Sequence, residues 1–217
     1  MKYIFSVLFT VFIVFNANSQ ANIGFVSGGD LYQRYVNPDD NSGINRSSGS
    51  FLLNGNTGLK FYVGTPKVSL SVESYFNVGS LALNLNDYQG LGAASIPVLA
   101  KINFNGLSGL RKVDESRGWS IGGGVQWSRT EWYFISRRAR EDGIQRSFFR
   151  NYVVEVSFGK GNRSKVQEWF VRVGLDPNVR SSTFNFGLNT TYSFPYMKLP
   201  KFNLKPESEE EEEVIKI

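Results

Sequence analysis

Phe51-Leu52-Leu53-Asn54-Gly55-Asn56-Thr57-Gly58-Leu59-Lys60-Phe61-Tyr62-Val63 alternates with a period of two. One face reads Phe51, Leu53, Gly55, Thr57, Leu59, Phe61, Val63; the other reads Leu52, Asn54, Asn56, Gly58, Lys60, Tyr62. Successive side chains of a strand point to opposite sides, so this stretch is an extended segment with one apolar and one small polar face. The next segment repeats the pattern: Val68, Leu70, Val72, Ser74, Phe76 and Val78 oppose Ser69, Ser71, Glu73, Tyr75, Asn77 and Gly79. So does the last, where Phe184, Phe186, Leu188, Thr190, Tyr192 and Phe194 oppose Asn185, Gly187, Asn189, Thr191 and Ser193. Eight such segments, at 22–35, 50–64, 67–83, 94–104, 119–134, 147–159, 167–176 and 181–194, lie between clusters of Gly, Asn, Asp, Ser and Pro. Several reach the roughly 9–11 residues that a tilted strand needs to cross hydrocarbon, beyond the length usual in soluble sheets.

Alternation is shared by membrane barrels and by soluble lipocalin-like barrels, which turn the apolar face inward. The character of the polar face separates them. A water-exposed face carries abundant Lys and Glu, whereas these positions hold mostly Asn, Ser, Gly and Thr, small enough for a narrow lumen. Their few charges, Lys60, Glu73, Lys101, Glu155 and Arg172, come in both signs, as expected of a sealed interior whose ions must pair. The opposite faces are nearly free of charge, which lipid contact requires. The expected fold is all-β, an eight-stranded antiparallel up-and-down transmembrane barrel with a side-chain-filled lumen. Tyr32, Tyr35, Tyr75, Trp119, Trp132, Tyr133, Trp169, Tyr192 and Phe194 are candidates for aromatic girdles, although aromatics are also simply good strand formers. Pro97 removes a ladder donor, so a bulge or a gap in pairing is expected there.

The chain has 217 residues, and the expected barrel occupies 20–194. Before it, Lys2 precedes an apolar run from Ile4 to Phe15 and the small polar residues Asn16 to Gln20. That reads as a secretory signal peptide over 1–19, the alternative being an uncleaved anchor helix. After it, 195–217 reads as a disordered, charge-segregated tail: Lys198, Lys201 and Lys205 are followed by the run Glu209, Glu210, Glu211, Glu212, Glu213. Setting aside Lys2 and the tail leaves the body with 19 basic and 13 acidic residues, near +6, against a tail near −2. The expected location is the outer membrane with both termini periplasmic. The connection from Asn105 to Gly118 is unusually long for a periplasmic turn and carries Arg111, Lys112 and Arg117.

The chain lacks cysteine and histidine, which removes disulfides, thiolate metal sites, thiol nucleophiles and imidazole chemistry. Neither a metal nor a cofactor is expected, and no catalytic residues are assigned. Gly122-Gly123-Gly124 lies within an alternating segment rather than before a helix, so it reads as relief of curvature, not as a phosphate loop. Arg137, Arg138, Arg140 and Arg146 cluster in the fifth hairpin and could meet lipopolysaccharide phosphates, the plainer alternative being a solvated loop with internal Arg–carboxylate pairs. The acidic run could dock on a basic envelope protein or simply solubilise the end of the chain. Nucleic acid is not an expected partner.

The segment Ala94-Ser95-Ile96-Pro97-Val98-Leu99-Ala100-Lys101 resembles a strand common in the outer-membrane beta-barrel domain family of Bacteroidota, and Asn18-Ser19-Gln20-Ala21 is similar to the signal end of such proteins. The likeness covers about residues 21–194 in architecture. It implies envelope residence, as in the porin-like proteins and the PorT-type and PorG-type accessory barrels of type IX secretion. The chain departs from the usual pattern by continuing for 23 residues after its terminal aromatic strand, so a C-terminal assembly signal would have to be read internally, from Tyr192 and Phe194. Two functions follow: a structural or scaffold barrel of an envelope complex, or a narrow passive channel for small solutes. Size favours the first, because eight strands leave an interior only wide enough for side chains.

Overall fold

A computed structural model describes residues 20–38, 47–51, 54–83, 90–112, 114–141, 147–178 and 180–196. The strands are β1 (Gln20–Val36), β2 (Ser47–Phe51), β3 (Asn54–Gly64), β4 (Val68–Leu83), β5 (Leu91–Asn105), β6 (Ser116–Tyr133), β7 (Phe149–Gly161), β8 (Lys165–Leu175) and β9 (Ser182–Ser193). A five-residue helix, α1 (Arg137–Glu141), follows β6, and single 3-10 turns occupy Gly106–Ser108 and Phe194–Tyr196. Strands β2 and β3 both pair antiparallel with β1 in nearly continuous register, from Val36↔Ser47 to Gln20↔Gly64, so they form one arm of an eight-armed sheet. Each later arm pairs antiparallel with the one before it. β9 then returns to β1, from Gly24↔Ser193 to Val36↔Ser182, and the sheet closes into a ring. Gln20 and Ser193 therefore lie at one end of the ring, together with the turns after β3, β5 and β7.

The polarity of the ring is inverted relative to a soluble core. Leu59, Val72, Val154, Phe158 and Val173 each stand at 50% or more exposure on the outer face. The buried set is dominated by Asn, Ser, Thr, Gln, Lys, Glu and Arg. The three segments read above keep their faces: Asn54, Asn56, Lys60 and Tyr62 point in from β3, Ser69, Ser71, Glu73, Tyr75 and Asn77 from β4, and Asn185, Asn189, Thr191 and Ser193 from β9. On the outer face Phe104, Trp119, Phe158 and Trp169 stand opposite one another across four successive strands, with Phe104 stacked on Trp119 at 4.2 Å between ring centroids. Two of the proposed girdle aromatics belong elsewhere: Tyr35 and Tyr75 are buried inside the ring and hydrogen-bonded there.

Three local features have physical causes. The ladder between β1 and β9 shifts between Asp30 and Tyr32, so Leu31 is an extra residue. Buried positions accordingly change from Asn22, Val26 and Asp30 to Gln33, Tyr35 and Asn37, because a one-residue insertion exchanges the two faces. At Pro97 the β4–β5 ladder passes from Ser74↔Val98 to Asn77↔Ser95 with register preserved, so the missing donor leaves a gap in pairing and no bulge. The long connection after β5 folds back across the end of the ring, where Leu107, Ser108 and Leu110 are buried. Ser69 Oγ donates to Ser108 O (2.8 Å), Ser108 Oγ donates to Pro66 O (2.9 Å), and Asn22 Nδ2 donates to Gly109 O (2.8 Å). Gly109, at φ +67, runs against the Tyr62 ring, where an added Cβ would lie 2.9 Å from the ring carbons. Its length is that of an inward plug, not of an external loop.

Candidate functional site in the ring interior

Lys60, Glu73, Lys101, Glu155 and Arg172 all point into the ring and join one network, which also takes in Glu168. Strand register positions most of it. Lys60 stands directly opposite Glu73 on β3 and β4, and Glu155 directly opposite Arg172 on β7 and β8. Lys60 Nζ lies 2.7 Å from Glu73 Oε2 and 2.7 Å from Glu168 Oε1, the second contact crossing the interior from β3 to β8. Lys101 Nζ, from β5, lies 2.9 Å from Glu73 Oε1 and 3.6 Å from Glu168 Oε2 and is also paired with Glu155 Oε1. Glu73 meets both lysines as ion pairs without aligned hydrogen bonds.

Arg172 completes the network on the other side of Glu155. Its Nε donates to Glu155 Oε2 (2.8 Å), its Nη1 to Gln126 Oε1 (2.9 Å), and its Nη2 to Glu155 and to the hydroxyl of Tyr75. The guanidinium also sits over the rings of Tyr75 and Phe170, at 5.2 and 5.1 Å from their centroids. Lys60, Lys101 and Arg172 balance Glu73, Glu155 and Glu168 in charge, and every one of these side chains is at most 1% exposed. Asp30 adds a further carboxyl, whose Oδ2 accepts from Asn77 Nδ2 and Asn185 Nδ2, both at 2.6 Å.

The strand between Lys101 and Glu155 explains how the two meet. Gly122 of β6 is the partner of Lys101 on one side and of Glu155 on the other. A Cβ there would lie 2.2 Å from Ala100 O and 2.5 Å from Lys101 Cγ. Glycine at this inward position opens a path over β6, and the lysine uses it. The triple glycine thus has a local structural purpose in addition to any relief of curvature.

The network crosses the ring from wall to wall, and the buried Leu107 and Leu110 close one end below it. Buried ions of one sign would be prohibitive, whereas a neutral set with multiple partners each is sustainable. Chemically the arrangement is a charge-compensated septum that ties β3, β4, β5, β7 and β8 together through the middle.

The other candidates are not brought to this site. Arg137 and Arg140 lie exposed in α1; Arg137 Nε pairs with Glu141 Oε1 at 2.7 Å and Arg140 Nη2 donates to Ile135 O at 3.2 Å. Arg138 lies in the same helix, and Arg146 lies outside the described residues, as do Glu209 to Glu213 and residues 1–19. Sequence reasoning missed Glu168, Asp30, Tyr75 and Gln126 as members of the interior network. Glu168 was findable, since it shares the parity of Arg172 on β8; Asp30 sits next to the bulge, where parity fails.

No family model matches the chain, and no curated protein matches it.

Proposed function

We propose that the chain is an integral outer-membrane β-barrel acting as a non-enzymatic structural or scaffold component of an envelope complex. The observation that carries this reading is the inverted polarity: a fully buried network of paired ions inside a ring whose outer face is a belt of exposed aliphatic and aromatic side chains. A belt of that kind exceeds what a water-facing monomer leaves uncovered, and acyl chains are the natural cover. Its height fits. From Trp119 to Trp127 the outer residues of β6 are Trp119, Ile121, Gly123, Val125 and Trp127, about 26 Å of strand, or about 20 Å along the normal at the usual tilt.

The scaffold reading is favoured over a passive channel because the interior is bridged by Lys60–Glu168 and capped by the plug after β5. The strand around Ala94–Lys101 resembles one common in the outer-membrane beta-barrel domain family of Bacteroidota, which supports envelope residence, with outer-membrane lipid around the belt and an envelope protein met through the loops or the tail. With both ends of the ring sheet on one side, the termini face the periplasm in this reading. Fractionation tests the location: release from envelopes only by detergent is expected, and a monodisperse monomer in plain buffer would sink the proposal. Planar-bilayer recordings test the role. Silence is expected; reproducible conductance altered by Lys60 or Arg172 substitution would establish the channel instead.

A further inference from the structure

The plugged end of the ring carries an excess of basic side chains over carboxylates among the described residues. At the far end Arg180 pairs with Asp176 and Arg137 with Glu141, beside the further arginines Arg129 and Arg150. At the plugged end Lys67 lies in the β3–β4 turn, Arg111 and Lys112 in the plug segment, and Arg117 at the start of β6. Lys160, Arg163 and Lys165 flank the β7–β8 turn. Among the described residues of this end the carboxylates are Asp114 and Glu115, and Glu115 is taken by Lys160 at 2.9 Å. Arg163 adds a buried Nε with no acceptor among the described residues. Its backbone N–H donates to Arg111 O at 2.6 Å, so the plug and the β7–β8 turn form one continuous basic collar.

The last described residues, Phe194–Tyr196, lie beyond Ser193, the β9 residue at this same end. Glu209 follows Tyr196 by 13 residues. Fully extended, that tether spans about 45 Å, and as a coil about 20 Å. Either length reaches across the mouth of an eight-armed ring. A tether of this kind also holds the acidic run at an effective concentration of about the millimolar order, enough for individually weak surface ion pairs to act together.

We infer that Glu209–Glu213 docks on the basic collar of its own ring, over Arg111, Lys112 and Arg163. Neither side of this contact depends on where the ring resides.

Carbodiimide coupling of carboxylates to lysines, applied to the full chain in neutral detergent micelles and read by peptide mass mapping, tests it. Intrachain links from Glu209–Glu213 to Lys112, Lys67 or Lys160 are expected at about 50 mM salt, falling several-fold at about 500 mM as the pairs are screened. The reversal Arg111→Glu with Lys112→Glu should reduce the links to Lys67 and Lys160. Adding Glu209→Lys through Glu213→Lys should then restore coupling between tail and plug with amine and carboxylate exchanged. Electrophoretic heat-shift confirms that each variant is folded. Links confined to Lys198, Lys201 and Lys205, links formed only between isotopically distinct chains, or links unaffected by salt and reversal would overturn the inference. Loss of the links in vesicles containing phosphatidylglycerol would also overturn it, assigning the collar to lipid headgroups.

Discussion

Replacing Glu155 by Gln keeps the shape of the side chain and removes one charge from the centre of the septum. Its partners do not suffer equally. Lys101 retains Glu73 at 2.9 Å and Glu168 at 3.6 Å. Arg172 loses its only carboxylate pair in the network and keeps just Gln126 and the Tyr75 hydroxyl, both neutral. A guanidinium that is 0% exposed is thereby left without a directly paired carboxylate, a change that costs about 3–5 kcal/mol in buried pairs. That corresponds to about two to three and a half powers of ten in the folding equilibrium. The double change Glu155→Gln with Arg172→Gln removes the orphan and returns the network to neutrality, so it should cost at least about 2 kcal/mol less than the two single changes added together. Urea unfolding of the chain in lipid vesicles, followed by tryptophan fluorescence and by the heat-shift of the folded form on electrophoresis, measures both. If Glu155→Gln stays within about 1 kcal/mol of the parent, or if the two changes simply add, the septum does not bear on stability as argued.

Gly122→Ala should shift the unfolding midpoint down strongly, because its Cβ meets backbone at 2.2 Å, whereas Gly55→Ala, with open space around it, should stay within about 0.5 kcal/mol of the parent in the same assay. Val154→Arg, on the outer face at 54% exposure, should cost about 2–4 kcal/mol in vesicles if that face meets lipid; a cost near zero would mean that water covers it. Leu107→Ala with Leu110→Ala empties the plug of two fully buried side chains and should cost about 2–5 kcal/mol for each, read from the same urea curves, while bilayer recordings stay silent because the Lys60–Glu168 bridge still spans the interior.

The arms of the ring were legible because facing, in this chain, is written in two distinct chemical alphabets. Where Leu59, Phe61 and Val63 alternate with Lys60 and Tyr62, parity alone assigns every residue, and the strand bounds follow within a few positions. The same parity placed Lys60, Glu73, Lys101, Glu155 and Arg172 on the inner face. It failed where backbone geometry carries no composition signal. The extra Leu31 exchanges faces in the middle of β1, so Tyr35, which reads as a girdle residue, turns inward to hydrogen-bond with Gln33 at 2.9 Å and Ser95 at 3.3 Å. Tyr75 has inward parity, but its amphipathic ring fits either environment, and only the position of Arg172 across the interior decides between them. The plug after β5 is polar and basic like an external loop. Its inward fold depends on the close approach of Gly109 to Tyr62 and on Asn22 from a distant strand, neither of which is local information.

The retention of six buried charges calls for a reason beyond stability, since well-packed apolar side chains often replace buried ion pairs without loss. In a ring whose outer face is apolar, an apolar interior would make the two faces chemically alike, and a one-residue slip of any arm would then exchange them at little cost. Polar interior residues remove that degeneracy. A slipped β4 would carry Glu73 to the outer face and bring Val72 or Ser74 opposite Lys60, breaking the pairs to both lysines at once. The network therefore acts as a register lock, strongest where direct cross-strand pairs such as Lys60↔Glu73 and Glu155↔Arg172 coincide with contacts across the interior. Replacing Lys60, Glu73, Lys101, Glu155, Glu168 and Arg172 together by Met or Leu should then yield a chain that retains strand content by circular dichroism but loses the single sharp folded band on electrophoresis. A sextuple variant that kept one folded band of undiminished urea resistance would show that turns and glycines alone hold the register.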